Sequence, residues 1–278
     1  MSQPLIAVFV AMFVWWFSTG AVFVLVRRGA RHAWRVAVAA TMLALLALAG
    51  LHVSAGMDSI AGAYLAFGSA LTVWAWHEVM FLFGFIAGPR RFSATKGLTG
   101  ADRFREAFAT VRDHELAIAA TAVLVVLLTM DAVNTVGLWT FTLLWVMRVS
   151  VKLSIYLGAR HSLSDMMPAR QAYLTTYFRT DRTTPFLPIA ILLALGVFVW
   201  LCALGTAAEA PQAVGIALVA TLLGLAIVEH VFLLLPLPDS VLWLWATPKE
   251  TDRKTTRGPA GSDRTGTKRV EGGGVSWT

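Results

Sequence analysis

Residues 60–88, IAGAYLAFGSALTVWAWHEVMFLFGFIAG, form an apolar run whose one charged side chain is Glu78, with His77 beside it. A helix rises about 1.5 Å per residue, so about 20 mainly apolar residues cross the roughly 30 Å hydrocarbon layer of a bilayer. The run is longer than one straight span requires, so it either tilts or continues past the membrane as far as the Gly88-Pro89 break. A carboxylate within such a run is costly enough to mark a functional position.

The stretches 5–26, 36–53, 115–134, 138–158, 185–206 and 213–235 share this apolar character. With 57% hydrophobic and 14% charged residues in a chain of 278, and a mean hydropathy of +0.68, the composition lies outside the soluble globular range. The sequence therefore reads as an all-α polytopic membrane protein, a bundle of about seven transmembrane helices over residues 1–246. The tail at 247–278 is basic, Gly- and Thr-rich and almost free of apolar residues, which predicts disorder. The short gap from Asp131 to Gly137 makes the fourth and fifth helices an antiparallel hairpin. After the seventh, Pro236-Leu-Pro-Asp-Ser240 breaks the helix, and Val241–Ala246 with Trp243 and Trp245 reads as an interfacial anchor. The first stretch lacks a basic leader and carries Trp15-Trp16 in its middle, so it reads as a retained span, not a signal peptide.

Basic residues orient the bundle, because Lys and Arg are retained on the cytoplasmic side of short connections. Four lie at 27–35, six at 90–112, four at 160–182 and seven in the tail, which accounts for 21 of the 23. All of these fall on alternate connections, whereas the opposite ones carry only Asp58, Asp131 and Glu209. The N-terminus is thus expected outside and the tail in the cytoplasm, in a bacterial inner membrane. The +7 net charge and pI near 10.1 follow from this topology and from attraction to anionic lipid, without a nucleic-acid partner. Cys202 is the single cysteine, which rules out an internal disulfide and any cysteine metal cluster. No glycine-rich phosphate loop or HExxH helix is present.

The remaining two basic residues, Arg148 and Lys152, sit inside the fifth span at i and i+4, on one helix face, where they can grip carboxylates from neighbouring helices. Counted from the cytoplasmic ends, Glu78 and Arg148 lie roughly 15 Å deep and Lys152 and Glu229 roughly 9 Å, with His114-Glu115 at the mouth of the fourth helix. Two readings compete. Either Glu78 and Glu229 neutralise Arg148 and Lys152 in a charge-compensated core, or helices three, four, five and seven enclose a polar pocket open to the cytoplasm. Di-iron bundles use Glu-x-x-His at i, i+3. Here His77-Glu78, His114-Glu115 and Glu229-His230 are adjacent pairs, about 100° apart on the helix, so one member of each faces a common site. That weakens a membrane metallo-oxygenase, and the scarcity of ionisable residues in the outer half weakens ion transport. Trp74, Trp76 and Trp145, with the nearby phenylalanines, suit the wall of a planar ligand such as a tetrapyrrole, with His77 as an axial ligand.

An ordered series of motifs carries a family resemblance: Trp15-Trp16-Phe-Ser-Thr-Gly20, Trp76-His77-Glu78, Gly88-Pro89-Arg90-Arg91, Arg103-Phe104-Arg105, His114-Glu115, Asn134-x-x-Gly137 and Leu144-Trp145-Val-Met147-Arg148-Val-Ser150-Val-Lys152-Leu153. Together they resemble photosynthetic complex assembly protein 2, PuhE, of phototrophic bacteria, over roughly residues 4–245. The resemblance implies an inner-membrane, non-enzymatic assembly factor for the reaction centre and core light-harvesting complex that influences bacteriochlorophyll supply. Its implied partners are the lipid bilayer, reaction-centre and core antenna subunits, and other assembly factors. Its implied site residues are His77, Glu78, His114, Glu115, Arg148 and Lys152; Glu229 and His230 join them on depth alone. Asp113, Ser154 and Ala159–Ser164 depart from the family pattern.

Overall fold

A computed structural model describes residues 2–161, 167 and 169–235. Its regular elements are all helical: α1 (Gln3–Arg28), α2 (Ala33–Ala55), α3 (Ile60–Leu82), α4 (Gly100–Leu128), α5 (Val136–Leu157), α6 (Phe186–Ala207) and α7 (Ala210–Leu234), with 3-10 turns at Gly29–His32 and Ala169–Tyr177. The interfacial segment and tail expected from Pro236 onward, and part of the Ala159–Ser164 stretch, lie outside the described residues.

Local chemistry sets the helix ends. Proline occupies the first turn of α1 and of α7, where its missing N–H is no loss. Ser59 caps α3 by accepting the Gly62 N–H at 3.1 Å. The apolar run that opened the sequence does not stay helical to Gly88; α3 stops at Leu82. Gly84 takes a left-handed φ of 77°, its N–H bonds the Phe81 carbonyl, and the Phe85 N–H bonds the Met80 carbonyl. This paired closure satisfies the last carbonyls of the helix and turns the chain aside. Glu78 is therefore one turn from the end of its helix, shallower than the sequence count implied. At the other extreme, α4 begins at Gly100, well before the apolar stretch at 115, because its charged first half also carries the apolar ridge Phe104, Phe108 and Val111.

Five helical segments are long and apolar enough to cross a membrane: Gln3–Ala55, α3, α5, α6 and α7. The first of these holds two antiparallel helices. A Cβ on Gly29 would stand 3.0 Å from the Val36 side chain, contact that only a chain reversal permits. The start of α1 (Ala7, Ala11) packs with the starts of α3 and α7, and the end of α2 (Ala47, Leu51) packs with α3 and α5. α3 is the hub, contacting α1, α2, α4, α5 and α7. α6 leans on α7 and buries only Leu187 and Ala194, leaving Leu192, Leu193, Val199 and Trp200 exposed, as a helix in lipid does. Close approach at the hub depends on small residues: a side chain at Gly137 would meet Leu51 of α2 and Ala66 of α3.

Because the helices alternate in direction, the basic connections gather at one end of the bundle. There Gly88 lies against the Ala109–Thr110 backbone, the His114 N–H bonds the Ala87 carbonyl at 2.8 Å, and the Arg90 N–H bonds the Ala109 carbonyl.

Candidate functional site

A cavity of about 710 Å³ opens between α1, α3, α4, α5, α7 and the 3-10 segment. That size falls within the range of small-molecule sites, about 300–1,000 Å³. Its wall is mainly apolar and aromatic, and five charged side chains face in: Glu78, Glu115, Arg148, Lys152 and Glu229. The convergence of helices three, four, five and seven expected from the sequence is present. The contribution of α1 was missed, although Trp15, Ser18 and Thr19 stand at i, i+3 and i+4, the spacing that places them on one face.

The α5 pair grips two carboxylates on two helices. Arg148 Nη2 donates to Glu78 Oε2 on α3 at 3.1 Å, and Lys152 Nζ donates to Glu115 Oε1 on α4. The other oxygen of Glu115 accepts the Trp145 indole N–H at 3.2 Å. Lys152 also lies 5.7 Å from the centre of the Phe81 ring, within cation–π range. The carboxylate on Lys152 is thus Glu115 and not Glu229, which lines the cavity within electrostatic reach of Arg148.

The three His-Glu pairs behave alike. In each, the glutamate lines the cavity and the histidine is fully buried behind the wall. His77 Nε2 is hydrogen-bonded to Thr121 Oγ1 at 3.0 Å, and its ring stands 6.3 Å from that of His114. His230 Nδ1 donates to the Ala226 carbonyl at 2.8 Å, so its neutral ring accepts the Ser150 hydroxyl at Nε2, 2.9 Å away. Neither nitrogen of His114, nor Nδ1 of His77, meets a hydrogen-bond partner among the described residues. Trp74 and Trp145 line the cavity; Trp76 turns toward α2 and donates to Thr41 Oγ1 at 2.9 Å. Among the described residues, no group of three or more His, Cys, Asp or Glu is placed to hold a metal ion.

A second polar junction, at the basic end, was not anticipated. Arg90 donates to the Tyr177 hydroxyl at 2.8 Å and pairs with Glu106 at 2.8 Å, and Glu106 also accepts the Thr95 N–H at 2.8 Å. Arg103 donates to the Tyr177 carbonyl at 2.9 Å and stacks 4.2 Å from the centre of the Tyr156 ring. Gln171 and Arg170 donate to the Phe81 and Phe83 carbonyls at the end of α3. These bonds hold the 3-10 segment, whose Leu174 and Tyr177 close one side of the cavity. The Gly-Pro-Arg-Arg motif was a visible signal; its partners Glu106 and Tyr177, distant in sequence, were not.

Fold and site define an α-helical multi-pass membrane protein with a charged intramembrane cavity. Residues 1–254 match the family described as Protein of unknown function (DUF3623), and the chain belongs to that family. It is 34% identical over 261 residues, 92% of this chain and 95% of the relative, to a Rhodobacter capsulatus protein described as an uncharacterized 30.4 kDa protein in the puhA 5′ region. No solved structure matches it significantly.

Proposed function

We propose that this protein is an assembly factor for the photosynthetic reaction centre and core antenna, the PuhE protein of its bacterium, and that its cavity holds bacteriochlorophyll or a related tetrapyrrole during delivery. The observation that carries the reading is the cavity itself: a bundle that needed only its own stability would fill 710 Å³ with side chains. The relative's position beside puhA in a photosynthesis operon supplies the context. In this reading seven helices cross the bacterial inner membrane, with the N-terminus outside and the basic end and tail in the cytoplasm.

The residues present suit the body of a macrocycle better than its metal. Trp74, Trp145, Phe104 and Tyr156 offer aromatic faces, and Arg148 and Lys152 offer donors to polar substituents. No imidazole lines the cavity, so the axial role expected of His77 has no geometric support. The test is an absorption spectrum with metal analysis of the protein purified in mild detergent from phototrophic membranes. A stoichiometric tetrapyrrole band supports the carrier.

The second reading is a ligand-free scaffold, favoured by the pairing of both α5 cations with carboxylates. A colourless, metal-free protein that still co-purifies with core-complex subunits supports it.

A further inference from the structure

The cavity constrains the charge of what it holds. Its lining carries three carboxylates, Glu78, Glu115 and Glu229, against two cations, Arg148 and Lys152. The formal balance is already negative by one before anything enters. An anion placed there adds repulsion from the carboxylates in a medium that screens poorly. A cation entering would face Arg148 and Lys152 at the same depth.

Spare hydrogen-bond donors point the other way, toward an acceptor. Arg148 carries five N–H groups. One meets Glu78, while its Nε–H is buried with no acceptor among the described residues. Lys152 carries three, of which one meets Glu115. Both carboxylate oxygens of Glu115 are taken, by Lys152 and by Trp145. Unused donors on an apolar wall are satisfied at least cost by a carbonyl oxygen, which accepts hydrogen bonds without bringing charge.

We propose that the cavity is a binding site for an uncharged amphiphile with a large apolar body and a keto or ester carbonyl, and that Arg148 and Lys152 hold that carbonyl. The site therefore selects esters over the corresponding free acids. This rests on the carrier reading and narrows its cargo to neutral forms.

The test uses the full-length protein in nanodiscs and two probes that share one macrocycle: pheophorbide a and its methyl ester, titrated at pH 7.5 by fluorescence. The ester is expected to bind at least tenfold more tightly than the ionised acid. Equal affinities, or a tighter acid, overturn the inference while leaving a carrier. If neither probe binds, the carrier reading falls and the inference with it. Ala75→Trp, which places an indole in the cavity, locates the binding. Loss of ester binding in a variant with unchanged helical circular dichroism is expected, and full retention overturns the assignment to this cavity.

Discussion

At the scale of single residues, burial and partnership separate the three histidines more sharply than sequence does. His230 gives and receives one hydrogen bond each with Ala226 and Ser150. His230→Leu is therefore expected to lower stability by about 1–3 kcal/mol, because it leaves a buried hydroxyl and carbonyl to find other partners. His114 meets no partner among the described residues, so His114→Leu should be neutral or stabilising. Thermal unfolding in detergent ranks the two, and an H114L loss as large as that of H230L would mean that His114 has a bound partner in the membrane. Glu78 and Arg148 form a partly buried pair. Each single substitution to Met should cost about 3–5 kcal/mol, because it strands the other charge, with much of that recovered in the double variant. Which residues carry charge, and that Arg148 and Lys152 share a face, was legible from spacing alone. Which carboxylate meets Lys152 was not, because pairing across helices depends on rotations about axes that a sequence does not contain. The fate of the His-Glu pairs was half legible: the 100° separation required one member to face away, and three-dimensional packing chose the histidine each time.

At the scale of elements, the periodic apolar stretches located every helix, since long uncharged runs leave few alternatives. The ends were harder. α3 ends at Gly84 and not at the Gly-Pro pair, because a lone glycine followed by an apolar residue closes a helix without any break in hydropathy. Gly84→Ala should cost about 1–2 kcal/mol, the penalty of a left-handed residue that gains a Cβ, since only Gln171 lies near, at 3.8 Å. Gly88→Ala should cost more, because the added methyl meets α4 backbone that has no flexible end to yield. Equal melting temperatures for the two variants would contradict that ordering. The junction that ties this loop to α4 and the 3-10 segment is acid-sensitive. The Thr95 backbone N–H, then the Thr95 side chain, Tyr177 and Arg90, hold the Glu106 carboxyl below the ordinary carboxylate range. A carboxyl depressed by folding stabilises above its unfolded value, about 4.3, and that contribution is lost as pH falls through the folded value. Hydrogen exchange at Ala94 and Thr95 is therefore expected to rise on acidification below about pH 4, and Glu106→Gln to remove most of that pH dependence.

At the scale of the whole molecule, topology follows from a conflict between two signals. By length and composition five segments qualify as spans; α4 is not among them, and α1 and α2 are counted within one segment. The distribution of charge requires more crossings, because Asp58 and Asp131 bracket connections that carry no Lys or Arg, while Arg27–Arg35 and Arg90–Arg112 are densely basic. α4 resolves the conflict by dividing its length. Its first half is charged and lies at the basic end, and its second half, from Leu116 to Leu128, continues among the other helices until His52 of α2 comes within 3.4 Å of the Leu128 carbonyl. The helix then crosses the bundle although less than two-thirds of it is apolar, which is why a window that demands few charges passes over it. Reporter insertions discriminate the two counts. Alkaline phosphatase placed after Asp58 or after Asp131 should be active, and after Lys96 inactive, with a fluorescent protein at the same three sites giving the opposite pattern. If α4 failed to cross, the Asp131 fusion would match the Lys96 fusion. Glu115 would then lie on a helix outside the membrane, and its bond to Lys152 would be a surface contact instead of one wall of an intramembrane cavity.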